Sequence, residues 1–532
     1  MKKLFIILIS VFLFSNLNAQ KNTNKLLDWY NKDVKSDKTF GVSTEKAYTK
    51  LLKGKTPQPI IVAIIDGGTD VNHEDLQSVI WTNPKEIAGN GIDDDHNGYI
   101  DDIHGWNFIG NANGDCVHWD NLELTRLFRK LDAKYANAEA DKFAKDPDYK
   151  LYLEVKAKYH NKLKEAKAQY AQIQEMYTKM QASDSIVAKF LNKKEYTKED
   201  LAAIKSDDKD VITSAAYMKK WTERGITMSE MKDYLKQVGA QVNYHYNLDF
   251  DPRNIVGDNY EVNSSPYYGN NNVTGPDAFH GTFVAGNVGA IRNNGIGVNG
   301  VAGSVKLMIV RVVPDGDERD KDVANGILYA INNGAKVINM SFGKAYSPQK
   351  KFVDSVMRIA EAKDVLVVQA AGNDGQNIDE IPNYPQNRDA NNMIISRSWI
   401  TVGACSMKKG KDLPASFSNY GKKNVDVFAP GVELWGCEPD NKYGSASGTS
   451  MASPVTAGLA AVLRSYFPEL SAIEIKDIIV KSAVKYTKEV NCPGEGLVKT
   501  TIAFSELSIS GGVANLYNAV KLADDIMKAK KK

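Results

Sequence analysis

Apolar and polar positions follow two different rhythms along this chain. In one part, β-branched or apolar runs at 60–65, 305–313, 336–343, 365–371, 399–405 and 425–428 are separated by stretches of helical period at 322–333 and 349–362. Short, largely apolar runs read as strands buried on both faces, and strands alternating with helices predict a parallel sheet covered on both sides. The expected fold class is therefore α/β, a doubly wound, mostly parallel sheet. Residues 455–467, rich in Ala, Gly and Leu, predict a buried helix, and 471–484 and 513–527 two closing helices.

The other rhythm occupies 111–253 and is helical throughout. Tyr152, Val155, Tyr159, Leu163, Ala166, Tyr170, Ile173, Tyr177 and Met180 recur at spacings of three and four. They predict an amphipathic helix of about 35 residues. Asp146-Pro147 reads as its N-cap and first-turn proline. Thr197 and Thr227 begin two more helices, the second with a capping box to Glu230, and Gly239 reads as a C-cap. The stripe predicts an inserted α-helical subdomain packed as a bundle, with a contact face for a partner as the alternative.

The start of the chain has another character. Lys2 and Lys3, an apolar run at 4–14 and Leu17-Asn18-Ala19 form a secretory signal, residues 1–19. The run is too short to span a bilayer, and no later run is long enough, so an exported protein without a membrane span is expected. Residues 20–58 read as a short N-terminal strap, and 59–110 with 254–532 as the body of the sheet domain. The formal charge is +2, from 67 basic and 65 acidic side chains, which favours neither nucleic acid nor an anionic membrane as a partner. Cys116, Cys405, Cys437 and Cys492 allow three pairings, and the sequence selects none.

Candidate chemistry centres on Gly448-Thr449-Ser450-Met451-Ala452-Ser453-Pro454. With Pro454 read as a first-turn residue, Ser450 falls at a helix N-terminus, where unpaired N–H groups favour negative charge. A serine nucleophile needs a base and an orienting carboxylate. All seven histidines precede Ser450. His280 opens the small-residue stretch His280-Gly281-Thr282-Phe283-Val284-Ala285-Gly286, and Asp66 ends the first apolar run. The order Asp66, His280, Ser450 is one of the known serine-triad orders, whereas a Ser–Asp–His order cannot be built on this serine.

A second candidate is Asp93-Asp94-Asp95-His96-Asn97-Gly98-Tyr99-Ile100-Asp101-Asp102. Oxygen-bearing residues at alternate positions, with glycine at the sixth, suit Ca²⁺. Asp93, Asp95 and Asn97 would offer side chains, Tyr99 its carbonyl, and Asp101 or Asp102 the closing ligand. His104 stands where an EF-hand has glutamate, so only half of that pattern is present.

Ile65-Asp66-Gly67-Gly68, the His280 stretch, Ala371-Gly372-Asn373-Asp374 and the Ser450 stretch together resemble the subtilisin-like serine proteases, or subtilases. The resemblance covers about 58–110 and 254–522, and departs from the family at Gly67 and Phe283. It implies that Asn373 donates to the oxyanion beside the Ser450 N–H. It also implies that Ser341-Phe342-Gly343 pairs with the substrate backbone, and that Ala370 and Gly372 line the pocket for the residue before the cleaved bond. Those small walls suggest a roomy apolar pocket. Asp66 and His280 lie 214 positions apart, far more than subtilases usually place there, and the strap is shorter than a usual inhibitory propeptide. The expectation is a secreted serine endopeptidase acting on protein or peptide. The alternatives are a narrow processing protease or peptide ligase on the same residues, and an inactive scaffold that binds.

Overall fold

The structure is a computed structural model that describes residues 27–494, 496 and 500–531. The expected signal segment lies outside the described residues. The chain divides into two compact units, one of residues up to His118 together with those from Pro252 onward, the other Trp119–Asp251. Residues 111–118, read from the sequence as part of the insertion, thus belong to the first unit. They are fastened there by the backbone bond Val117 N to Ile109 O and by the Arg311 guanidinium on Val117 O.

In the first unit the strands are β1 (Ile60–Asp66), β2 (Gly105–Asn107), β3 (Val305–Arg311), β4 (Ala335–Met340), β5 (Leu366–Ala370), β6 (Trp399–Cys405), β7 (Val427–Pro430), β8 (Leu434–Glu438), β9 (Lys442–Ala446), β10 (Val484–Lys485), β11 (Glu489–Asn491), β12 (Thr501–Ala503) and β13 (Gly512–Val513). Nine of them form one sheet in the order β10-β13-β7-β6-β5-β4-β1-β3-β2, while β8–β9 and β11–β12 are separate pairs. Every neighbour in the large sheet runs parallel except β10 against β13.

Period-two geometry sends alternate residues of β1 to opposite faces. Val62 and Ile64 join a core with the Phe279–Gly289 and Thr449–Tyr466 helices. Ala63 and Ile65 join one with the Asp320–Asn332 and Lys350–Ala362 helices. A strand covered on both faces has no polar side to offer, which is why its sequence is an unbroken apolar run. Parallel strands also end together. The carboxyl edge therefore gathers Asp66 from β1, Ser341 from just beyond β4 and Ala371-Gly372-Asn373 from just beyond β5, the place where open α/β sheets carry their sites.

In the second unit the Pro147–Leu191 helix has 45 residues, about ten more than its stripe announces. Asp146 caps it by accepting from Asp148 N, and Pro147 takes the first helical position. It packs on the Glu123–Tyr135, Lys209–Thr222 and Met228–Ala240 helices. Thr227 closes a capping box with Glu230, and Thr197 closes one with Asp200 that the sequence reading passed over. Gly239 is not a C-cap, since the helix continues to Ala240 and winds into a wider turn over Gln241–His245.

Candidate active site

Asp66 is 2% exposed, and its Oδ1 accepts from His280 Nδ1 at 2.7 Å and from Gly67 N at 2.7 Å. His280 is the second residue of its helix, and that helix must come very close to the Asp66 turn. A Cβ on Gly281 would lie 2.1 Å from Gly68 O, so only glycine permits the approach. Thr282 ties the same helix start down, donating to Ala278 O and accepting from Asp70 N. With Nδ1–H facing a carboxylate, Nε2 is left for proton exchange. Burial pulls the imidazole pKa down, but the charge of Asp66, its hydrogen bond and the charge of Asp277 together outweigh this. His280 is held above the ordinary 6.5.

Ser450 is the second residue of the Thr449–Tyr466 helix, so its N–H has no intrahelical acceptor. Its hydroxyl donates to Ser341 O at 3.0 Å and not to the imidazole, so of the three residues only Asp66 and His280 are joined by a hydrogen bond here. Pro454 stands sixth in the helix, beyond the first turn where the sequence placed it. Its missing N–H deprives Ser450 O of its usual partner four residues on. Ser341 Oγ supplies the replacement, donating to Ser450 O at 2.9 Å. Asn339 then bridges the two elements, donating to Ser341 Oγ at 2.9 Å and accepting from Ser453 Oγ at 2.8 Å. The end of β4 and the serine turn are thus fixed to one another.

Asn373 is exposed, but its amide is oriented. Oδ1 accepts from Thr449 N at 2.8 Å and from Thr449 Oγ1 at 2.9 Å, which leaves Nδ2 unengaged beside the Ser450 turn. Gly372 N donates to Thr449 Oγ1 at 3.1 Å. Buried Asn419, which nothing in the sequence singled out, clamps the same turn by donating to Ala371 O and accepting from Asp374 N and Gln376 N.

Ala370 and Gly372 were expected to line a roomy apolar pocket, and a polar side chain lies beside Gly372 and Gly343. Ala370 is buried in the sheet. The amide of Asn383 lies between the two glycines, its Nδ2 2.6 Å from where a Cβ on Gly343 would sit and 3.1 Å from one on Gly372. It donates to Ala371 O at 3.1 Å. The reason is a long-range pairing, Lys344 with Tyr384, that folds an aperiodic loop back over the end of β4. Phe342 packs against the core on the Ile65 face.

The acidic loop is rearranged relative to its sequence pattern. Glu86, Asp93 and Asp95 can each bring one oxygen within 4.8 Å of the others. Glu86 lies upstream of the repeating pattern. Asn97 Oδ1 instead accepts from Tyr99 N, and the Tyr99 ring is buried among Trp106, Phe108 and Tyr329. Asp101 accepts from Gly89 N and Gly91 N. Asp102 accepts from Asn83, Asn97 and Tyr329, and burial pushes its carboxyl up to about 6. Asn97, Asp101, Asp102 and Tyr99 brace the loop, and neither Asp101 nor Asp102 joins the carboxylate cluster. None of the four cysteines is disulfide-bonded.

The fold and this edge define a serine-type endopeptidase, and comparison with known proteins agrees. Residues 58–496 match the subtilase family, and the chain belongs to it. It is 38% identical to Subtilisin BL of Lederbergia lenta over 225 residues, 42% of this chain and 77% of that protein. Subtilisin DY of Bacillus licheniformis is 37% identical over 228 residues, 42% and 77% of the two chains. The Cell wall-associated protease of Bacillus subtilis (strain 168) is 36% identical over 218 residues, 41% of this chain and 22% of that one. Among solved structures, a protease from Pseudoalteromonas arctica PAMC 21717 aligns with a TM-score of 0.37 and 30% identity, over 46% of this chain and 70% of its own.

Proposed function

We propose that this enzyme is exported and cleaves peptide bonds with Ser450 as nucleophile, His280 as general base then acid, and Asp66 as the group that orients and stabilises the imidazolium. The observation that carries the reading is the 2.7 Å Asp66–His280 bond at the same sheet edge as an oriented Asn373 amide. In this scheme the Ser450 side chain turns from Ser341 O towards His280 Nε2. Oγ attacks the substrate carbonyl carbon while its proton passes to Nε2. The negative charge formed on the carbonyl oxygen is met by Asn373 Nδ2 and the Ser450 N–H, donors already in place. Collapse expels the amine, which takes the proton from Nε2, and water then repeats the cycle on the acyl-enzyme. Ser450→Ala should abolish hydrolysis of an unfolded protein substrate while leaving the unfolding transition intact. Residual turnover in that variant would reject the assignment.

A narrower, processing role is favoured by one feature, the Asn383 amide between Gly343 and Gly372. Export rests on the residues 1–19 pattern, and among the described residues no helix is long and apolar enough to cross a membrane. The acidic loop is proposed to hold a structural Ca²⁺ through Glu86, Asp93 and Asp95. Glu86 Oε2 is buried there without a hydrogen-bond partner, and three carboxylates so close repel one another unless a cation lies between them.

A further inference from the structure

β4 leaves the sheet beside Ser450. Met340 is its last paired residue, opposite Ile65 of β1 and Gln369 of β5. Ser341 is still fastened, accepting from Ser450 Oγ at its carbonyl and donating from Oγ to Ser450 O. Beyond it the backbone is open. Among the described residues neither Phe342 nor Gly343 makes a backbone–backbone hydrogen bond, and Gly343 is exposed. Free N–H and C=O groups on the continuation of a strand are where a second extended chain can pair.

The open stretch ends at Lys344, which is held from two sides. Its N donates to Tyr384 O and its O accepts from Tyr384 N, both at 2.8 Å. Its side chain is 1% exposed, and Nζ donates to Glu318 O at 2.7 Å and pairs with Asp320 Oδ1 at 2.8 Å. Asp320 is also buried, and its Oδ2 accepts from Gln349 N at 2.8 Å, just ahead of the Lys350–Ala362 helix. Lysine is almost never buried unless paired, because its ammonium must give up water. An apolar side chain could fill this space, but it could not fix the carbonyl of Glu318 and the carboxylate of Asp320 at set distances. Lys344 thus joins the loop after β3, the Asn383 loop and the start of a helix at the far end of the open stretch.

We propose that Lys344 is a positioning residue for the protease reaction, holding the backbone of Phe342 and Gly343 where the substrate residues ahead of the cleaved bond pair with it. The proposal rests on the Ser450 reading above. Lys344 itself touches no substrate. Its loss frees one end of the pairing stretch, while Ser341 still fixes the end nearest Ser450. The residues of the substrate furthest ahead of the cleaved bond therefore lose most.

The test uses two substrates with the same residue before the cleaved bond, an ester of that residue alone and a peptide with three more residues ahead of it. In Lys344→Met the preference for the peptide, as the ratio of the two kcat/KM values, should fall by about fivefold or more, with the change in the KM of the peptide. A merely structural lysine would lower the active fraction equally for both substrates and leave the ratio alone. Asp320→Asn removes the charge at the other end and keeps an acceptor for Gln349 N. It should lower the same ratio, and the double variant should lose no more than Lys344→Met alone. If Lys344→Met does not fold, the ratio in Asp320→Asn decides. A wild type with no preference for the peptide, an unchanged ratio in the folded variants, or losses that simply add would each overturn the proposal. Failure of the triad reading would show separately, as hydrolysis that survives in Ser450→Ala.

Discussion

Replacing Asn373 separates two tasks that one amide performs. In the proposed mechanism Nδ2 is the oxyanion donor, while Oδ1 is the acceptor for Thr449 N and Oγ1 at 2.8 and 2.9 Å. In Asn373→Ala both are lost. Loss of the donor should lower kcat by about 10²–10³, or about 2.7–4 kcal/mol, the cost of removing one such donor in a bacterial subtilisin. KM should change little, because the charge it meets exists only on the way to the tetrahedral intermediate. Loss of the acceptor leaves the N–H of fully buried Thr449 unpaired and its hydroxyl proton without an acceptor, the hydroxyl oxygen still accepting from Gly372 N, which should lower stability by about 1–3 kcal/mol. Asn373→Asp keeps an acceptor for Thr449 but places a carboxylate where the oxyanion forms. It should lose at least as much rate as the alanine variant while keeping more of the stability. Initial rates on a chromogenic peptide give kcat and KM. Urea unfolding in a Ser450→Ala background, where self-digestion is absent, gives stability. A raised KM with unchanged kcat, or an active Asn373→Asp enzyme, would refute this reasoning.

The rate should rise with pH as His280 loses its proton, with a midpoint above the ordinary 6.5, and Asp66→Asn should shift that midpoint down; a rate flat from pH 5 to 8 would exclude a histidine base. Because the folded value is raised, the Asp66–His280 contact stabilises the fold most below the unfolded value and loses that contribution as pH rises through the folded one. Chelation of divalent cations should lower the Tm of the Ser450→Ala protein, and Glu86→Gln or Asp95→Ala should remove that response, since a ion bound only by the folded state adds stability. An unchanged Tm on chelation would contradict the cation site. Asn383→Gly should raise the preference for Phe or Leu over small residues before the cleaved bond by about tenfold or more, and an unchanged ratio in a peptide series would remove Asn383 from the pocket.

What the sequence made legible was local. The run from Ile60 to Ile65 specifies a doubly covered strand, and the caps at Asp146 and Thr227 are written within four residues of the helices they begin. The three motifs that carry Asp66, His280 and Ser450 are each a short stretch, and their chain order narrows the chemistry further. What stayed hidden depends on contacts between distant segments. Pro454 is tolerated beyond the first turn because Ser341, 109 positions away from Ser450, answers the orphaned carbonyl. Asn383 reaches Gly343 and Gly372 through the pairing of Lys344 with Tyr384, and Asn419 clamps a turn 48 positions before it at Ala371. In the acidic loop the spacing of oxygens was visible. Their division was not, because Asp102 is drawn inward by Tyr329, which lies on a helix 227 positions further along. The strap was readable as a strap, but its burial rests on Asn299, Glu433 and Leu516, which no local pattern connects to it.

Labelling with an active-site serine phosphonate tests the central claim most directly. The account predicts one covalent adduct per chain, on Ser450, formed faster as pH rises through the His280 titration, with hydrolysis lost in step and no adduct on the Ser450→Ala protein. An adduct on another serine, or hydrolysis that persists after Ser450 is fully modified, would contradict it.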